Sequence, residues 1–250
     1  MAAIYIFTMD HIIARKLLEL GDEAQSLQLQ RFFKTAPGQY GEGDRFLGVR
    51  VPQTRSIVKH TLASVALSLK DTESLLFSQW HEIRLAGFLV LVELYSKAHR
   101  AKDHAEKRHI VEFYLDKIHR GNNWDLVDLV APKILGQWLI EHPEERTILY
   151  RLAACDDRLW HQRVAIVSTL ALIKNKEFGD TIRIAELYLS HPHDLIHKAS
   201  GWMLREVGKA GGMQDLCAFL DRNAAIMPRT MLRYAIERFE PELRKAYMKR

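Results

Sequence analysis

Apolar residues recur three and four positions apart along almost the whole chain. The stretches HEIRLAGFLVLVELYSKA, EKRHIVEFYLDKI, WHQRVAIVSTLALIKN and KASGWMLREVGKA all carry this spacing, which lines one face of an α-helix. No stretch sustains the two-residue alternation that a half-buried strand needs. The interruptions are short and polar: GDE, HPEE, NKEFGD, SHPHD, AGGMQ and RNAAIMP. Connections of that length join antiparallel helix neighbours. The pattern predicts an all-α chain built from helix pairs.

A loose repeat lies over this pattern. Trp80 precedes HEIRLAGFLVL, Trp124 opens DLVDLVAPKIL, Trp160 precedes HQRVAIVSTLAL and Ile196 precedes HKASGWMLREV, at steps of 44, 36 and 36 residues. Two helices per step of about 35–45 residues is the signature of a HEAT-like or armadillo-like α-solenoid. Pairs of this kind cannot bury their apolar stripes alone, so they stack, and one helix from each pair lines a concave face. All 250 residues are expected to form a single repeat domain. The segment KTAPGQYGEGDRFLGVRVP, residues 34–52, is expected to be a Gly/Pro-rich loop within it, of the kind that touches a ligand.

Composition narrows the class. The chain is 48% hydrophobic and 27% charged, ordinary for a globular protein. Its longest apolar run, AGFLVLVELY, is far shorter than a bilayer span. The apolar N-terminus MAAIYIFTMD lacks the basic region of a secretory signal. A cytoplasmic protein with two reduced cysteines, Cys155 and Cys217, is expected. Formal net charge is +5. Arg31, Lys34, Arg45, Arg50, Arg55 and Lys59 crowd one segment against Glu42 and Asp44. Eight further basic residues between Arg222 and Arg250 face three acids. Basic clusters of this kind suit a polyanion.

The chemistry-bearing segment is GNNWDLVDLVAP, residues 121–132. A helix starting near Asn123, capped by Asn122 or Asn123, puts Val127, Val130, Ile134 and Trp138 on one stripe. Trp124 and Asp128 share its shoulder, because residues four apart share a face. Asp125, in the first turn, is explained by the helix dipole. Asp128 is not, and Pro132 removes the amide that would bond its carbonyl, so a kink is expected there. Taken alone, Asp128 is more simply the partner of a neighbouring Arg or Lys than a catalytic acid. Arg163, inside the apolar WHQRVAIVSTLALI, reads alone as a solvated or ion-paired residue. Trp202, four residues after Lys198, reads alone as core. The HPHDLIH segment places His193 and His197 on one helical face near His191, but no carboxylate or Cys completes a metal set.

Together NWDLVDLVAPKILG, LWHQRVAIV and IHKASGWMLRE, in this order and spacing, resemble the AlkD-type DNA alkylation repair glycosylases, a family of HEAT-like-repeat proteins. The resemblance runs from about residue 30 to about residue 240. It implies that Trp124 is the first motif's tryptophan and Asp128 the catalytic aspartate. It further implies that Arg163 faces the DNA backbone and that Trp202 is a second site tryptophan. Where family members carry a tyrosine near the lesion, this chain offers Phe32, which keeps the aromatic face and loses the hydroxyl. Lys198 and Arg55 are further candidates for DNA contact. The implied activity is excision of cationic 3-methyladenine- and 7-methylguanine-type bases from duplex DNA, in base excision repair. Neither metal nor cofactor is implied, and a monomer suffices. No Lys nucleophile accompanies the aspartate, so hydrolysis without strand cleavage is expected. Two rivals use the same fold: a non-catalytic binder of DNA structure, and a protein-interaction scaffold.

Overall fold

A computed structural model describes residues 11–156 and 158–250; the apolar stretch at 1–10 lies outside them. Among the described residues every regular element is helical, and a single isolated bridge pairs Arg45 with Trp80. The chain is an all-α array of packed helix pairs, divided into two compact units, residues 1–130 and 131–250.

The first unit contains α1 (Ile12–Glu19), α2 (Glu23–Phe32), α3 (Val51–Ser64), α4 (Leu69–Leu76), α5 (His81–Arg100), α6 (His104–Lys117) and α7 (Trp124–Asp128). Side-chain caps start several of them. Asp22 Oδ1 accepts the Gln25 amide at 2.8 Å, and Ser68 and Asp71 form a reciprocal box at the head of α4. Helix α5 is the axis: α1, α3, α4 and α6 all pack on it, and residues 81–92 are buried all round. A helix enclosed on every side needs apolar residues on every side, which is why its stripe is broad rather than amphipathic.

The second unit contains α8 (Gln137–Glu141), α9 (Thr147–Ala153), α10 (Leu159–Lys174), α11 (Gly179–Leu187), α12 (Asp194–Lys209), α13 (Met213–Asn223), α14 (Arg229–Ala235) and α15 (Pro241–Met248). Helix α10 is its enclosed axis, packed by α9, α11 and α12. Helix α12 lies closest to α14, and Gly201 makes that approach possible. A Cβ there would stand 2.4 Å from the Met231 carbonyl oxygen and 2.6 Å from Tyr234 Cβ.

The repeat read from the sequence coincides with helix starts. Trp80 is the N-cap of α5, Trp124 opens α7, Trp160 is second in α10 and Ile196 third in α12. Two expectations need correction. The segment from Trp124 to Trp138 is not one kinked helix. Helix α7 ends at Asp128, a turn follows, and residues 132–136 form a π-helical turn in which the Gly136 amide donates to the Ala131 carbonyl at 2.9 Å. Pro132 has no amide to continue α7, and the wider turn is the local solution. The predicted stripe is nonetheless buried: Val127, Val130, Ile134 and Trp138 are all within the core.

The loop at 34–52 is also shorter and less open than its composition suggests. Helix α3 takes Val51 and Pro52 into its first turn, and Phe46, Leu47 and Val49 are buried. The Glu82 carboxylate, at the head of α5, accepts three backbone amides, from Leu47 (2.8 Å), Gly48 (2.9 Å) and Val49 (3.1 Å). Gly48 adopts φ +93°, and a Cβ there would fall 2.0 Å from the Asp22 carbonyl oxygen, so no other residue fits. The tip, residues 36–39 with Glu42 and Gly43, is exposed, as are Lys34, Arg45, Arg50 and Pro52, while Gly41, Asp44 and residues 46–49 are buried.

Candidate functional site

Helix α7 is five residues long, too short to stand without support. Asn123 begins it, fully buried, its side-chain oxygen accepting the Trp124 amide at 2.9 Å. Leu126 and Val127 anchor the inner face. Trp124 and Asp128 are half-buried on the outer shoulder. The Asp128 charge reaches the fully buried Tyr114 hydroxyl, whose pKa burial, and then that charge, push well above its ordinary value.

The Trp124 indole is the open end of a ladder of rings. It stacks on Phe33 at 5.1 Å, Phe33 stacks on Phe46 at 4.9 Å, and Phe46 stacks on the His81 imidazole at 4.3 Å. Phe32, 62% exposed, meets the indole edge-on at 5.8 Å. Stacked and edge-to-face pairs of this kind contribute about 0.5–1.5 kcal/mol each beyond area burial.

At the far end of the ladder, His81 is held by two acids. Its Nδ1 lies 2.8 Å from Asp44 and its Nε2 2.9 Å from Asp125. Carboxylate oxygens only accept, so both ring nitrogens carry protons and the imidazole is a cation. Burial alone would lower its pKa, but the Asp125 charge and bond, followed by those of Asp44, raise it to about 9. Asp44 is held below the usual carboxylate range: burial opposes ionisation, and the bonds and charges of His81 and Arg84 outweigh it. Arg84 donates to Asp44 at 2.5 Å and to Asn122 at 3.0 Å. Asp125 is therefore structural, as its first-turn position suggested, but through His81 rather than through the helix dipole alone.

The sequence-based reading missed Asp44, His81 and Arg84, together with Phe33 and Phe46. One signal was available. The first turn of α5, HEIR, consists of three polar residues and one isoleucine ahead of the unbroken apolar run LAGFLVLV, and His81, Glu82 and Arg84 are all buried. Buried ionisable groups need partners, so this cluster implied acids and amides arriving from elsewhere in the chain.

In the second unit, Arg163 is only 5% exposed, and its Nη1 donates to the Leu195 carbonyl at 2.6 Å in the first turn of α12. Lys198 lies one turn further along α12, ion-paired with Asp194 at 2.8 Å, and Trp202 follows a turn later, half-buried. The charges of Arg163 and Lys198 are both felt at His193. Burial lowers its pKa, Asp194 opposes this, and the charges of His197, Arg163 and Lys198 lower it further. The imidazoles of HPHDLIH are engaged in hydrogen bonds: His191 with Gln162 and the His193 amide, His193 with the Leu195 amide, His197 with the His191 carbonyl. Within the first unit the structure brings Phe32 and Trp124 together. Arg55 stands on the exposed face of α3.

A family model described as DNA alkylation repair enzyme matches residues 13–239. The chain belongs to that family. Its activity therefore lies in the repair of alkylation damage in DNA. Among solved structures, one described as a predicted DNA alkylation repair enzyme from Enterococcus faecalis is similar at 16% identity. The match covers 88% of this chain and 97% of that one, with a TM-score of 0.67, and it shows a shared fold. No curated protein matches the chain. No helix among the described residues is long and apolar enough to cross a membrane.

Proposed function

We propose that this DNA alkylation repair protein is a monofunctional glycosylase that hydrolyses the N-glycosidic bond of cationic 3- and 7-alkylated purines in duplex DNA. The observation that supports it best is a half-buried carboxylate, Asp128, one helical turn after a half-buried indole, Trp124, on a helix fixed by buried bonds.

Alkylation at N3 or N7 makes the base a cation, so it departs without a general acid. The C1′–N9 bond breaks, its electron pair neutralises the purine, and an oxocarbenium-like sugar remains. Water then forms the new C1′–O bond and gives up a proton. Asp128 stabilises the developing positive charge and orients or deprotonates that water. The same charge logic governs glycoside hydrolysis, where a second carboxyl protonates the leaving group. Indole faces, here Trp124 and Trp202, favour a cationic sugar or base by about 0.5–2 kcal/mol each. Phe32 extends the aromatic surface at Trp124. Arg163, Lys198 and Arg55 serve the phosphates, which fixes register without reading sequence.

The test is release of free 7-methylguanine and 3-methyladenine from methylated duplex DNA by wild type and by Asp128→Asn. Release by wild type, with strands left intact, and a loss of at least about 10²-fold in the variant at unchanged DNA affinity are expected. Tight binding without release by either protein would instead leave a non-catalytic binder of DNA structure.

A further inference from the structure

The acid–imidazolium–acid arrangement is buried in all three of its members, Asp44, His81 and Asp125. Its members come from three separate places: Asp44 from the loop before α3, His81 from the head of α5, and Asp125 from α7. Buried ion pairs are weak contributors to net stability, since apolar replacements of the same shape often do as well. What such a pair does well is admit one arrangement only. Here that arrangement fixes α7 twice. Through Asp125 it holds the backbone immediately after Trp124. Through the ring ladder it supports the indole itself, because the imidazolium lies on Phe46 at 4.3 Å and the stack ends on Trp124.

We propose that His81 is a positioning residue for the excision reaction, a buried imidazolium clamped between Asp44 and Asp125 that sets the pose of Trp124. The proposal rests on the glycosylase reading for its kinetic consequence, though not for its structural one. The charged groups around the imidazole are Asp44 from the loop, Asp125 from α7, and Glu82 and Arg84 from α5 itself. Glu82 is committed to the loop amides, and Arg84 to Asp44 and Asn122. Neither replaces His81 between the two acids. A neutral Gln at 81 carries both its N–H donors on one nitrogen, whereas the imidazolium donates from two separate ring nitrogens, so Gln does not span the two carboxylates and the support of α7 is weakened.

Three measurements on the full chain decide it. In wild type, ¹⁵N spectra of histidine-labelled protein at pH 7.5 are expected to show both His81 nitrogens protonated. In His81→Gln, with 5-fluorotryptophan incorporated, the ¹⁹F resonance of Trp124 (assigned with Trp124→Phe) is expected to shift or broaden while the other tryptophans hold position. In single-turnover assays the variant is expected to lose on the order of 10²-fold in excision rate, the scale set by small misplacements of reacting groups. Its affinity for duplex DNA should stay within about twofold, and its circular dichroism should remain that of a folded helical chain. A neutral His81 in wild type, or an unmoved Trp124 signal, would overturn the proposal. So would a wild-type excision rate in a folded variant. If wild type itself releases no base, the glycosylase reading fails, and the ¹⁵N and ¹⁹F results still decide whether His81 positions Trp124. Should His81→Gln fail to fold, Asp44→Asn, which leaves the Asp125 bond in place, carries the same ¹⁹F and rate tests.

Discussion

Raising the pH should loosen this protein through one buried group. His81 ionises near 6.5 when exposed, and the two carboxylates in the folded chain hold it at about 9. A group whose pKa is raised on folding stabilises the native state fully below its unfolded value, and the stabilisation disappears as pH climbs to the folded value. The window is therefore pH 6.5 to 9. At 1.36 kcal/mol per tenfold change in proton affinity, the contribution is about 3 kcal/mol, a large share of a typical domain's stability. Urea unfolding of wild type and His81→Gln, measured at intervals across that window, isolates it, because other titrating groups are common to both proteins. The wild-type advantage should shrink steadily from pH 6.5 and be gone by about pH 9.5. A difference that stays constant over the window would mean that His81 is neutral in the folded state, and the linkage reasoning would be refuted.

Other outcomes follow from individual side chains. Gly201→Ala forces a Cβ against the backbone of α14 and should cost about 1–3 kcal/mol in urea unfolding; a neutral effect would mean that α12 and α14 are further apart than described. Phe32→Ala removes a mostly exposed ring, so Tm should hold to within about 0.5 kcal/mol of stability, whereas single-turnover excision should slow several-fold. An unchanged rate would detach Phe32 from the reaction. Lys198→Ala and Arg55→Ala should each weaken duplex binding and reduce the slope of log affinity against log salt by ~0.9, the value for one phosphate contact. A slope equal to wild type would place either residue off the DNA.

Much of the molecule was legible because its signals are local. Helix positions follow from apolar residues three and four apart, and the stripe of Val127, Val130, Ile134 and Trp138 proved buried as that spacing requires. Asn123 was readable as a cap for the same reason, since a capping side chain bonds an amide within its own turn. The bend at Pro132 was readable in kind, as a lost amide, but not in form. Whether a chain kinks or rewinds as a π-turn depends on what packs beside it, and Gly136 rests against the α10 backbone, where a Cβ would meet the Ser168 carbonyl oxygen at 2.4 Å.

By itself, then, the sequence determined the all-helical class, the spacing of the helix pairs and the family. The tertiary structure decided how Trp124 and its short helix are held. Asp44 and His81 are 37 positions apart, and His81 and Asp125 are 44 apart. No local rule joins them, because a polar side chain has no reason to choose a distant partner until the fold has removed it from water. Burial then makes an unpaired charge too costly to keep, and the acids, the imidazolium and the ring ladder settle together under Trp124.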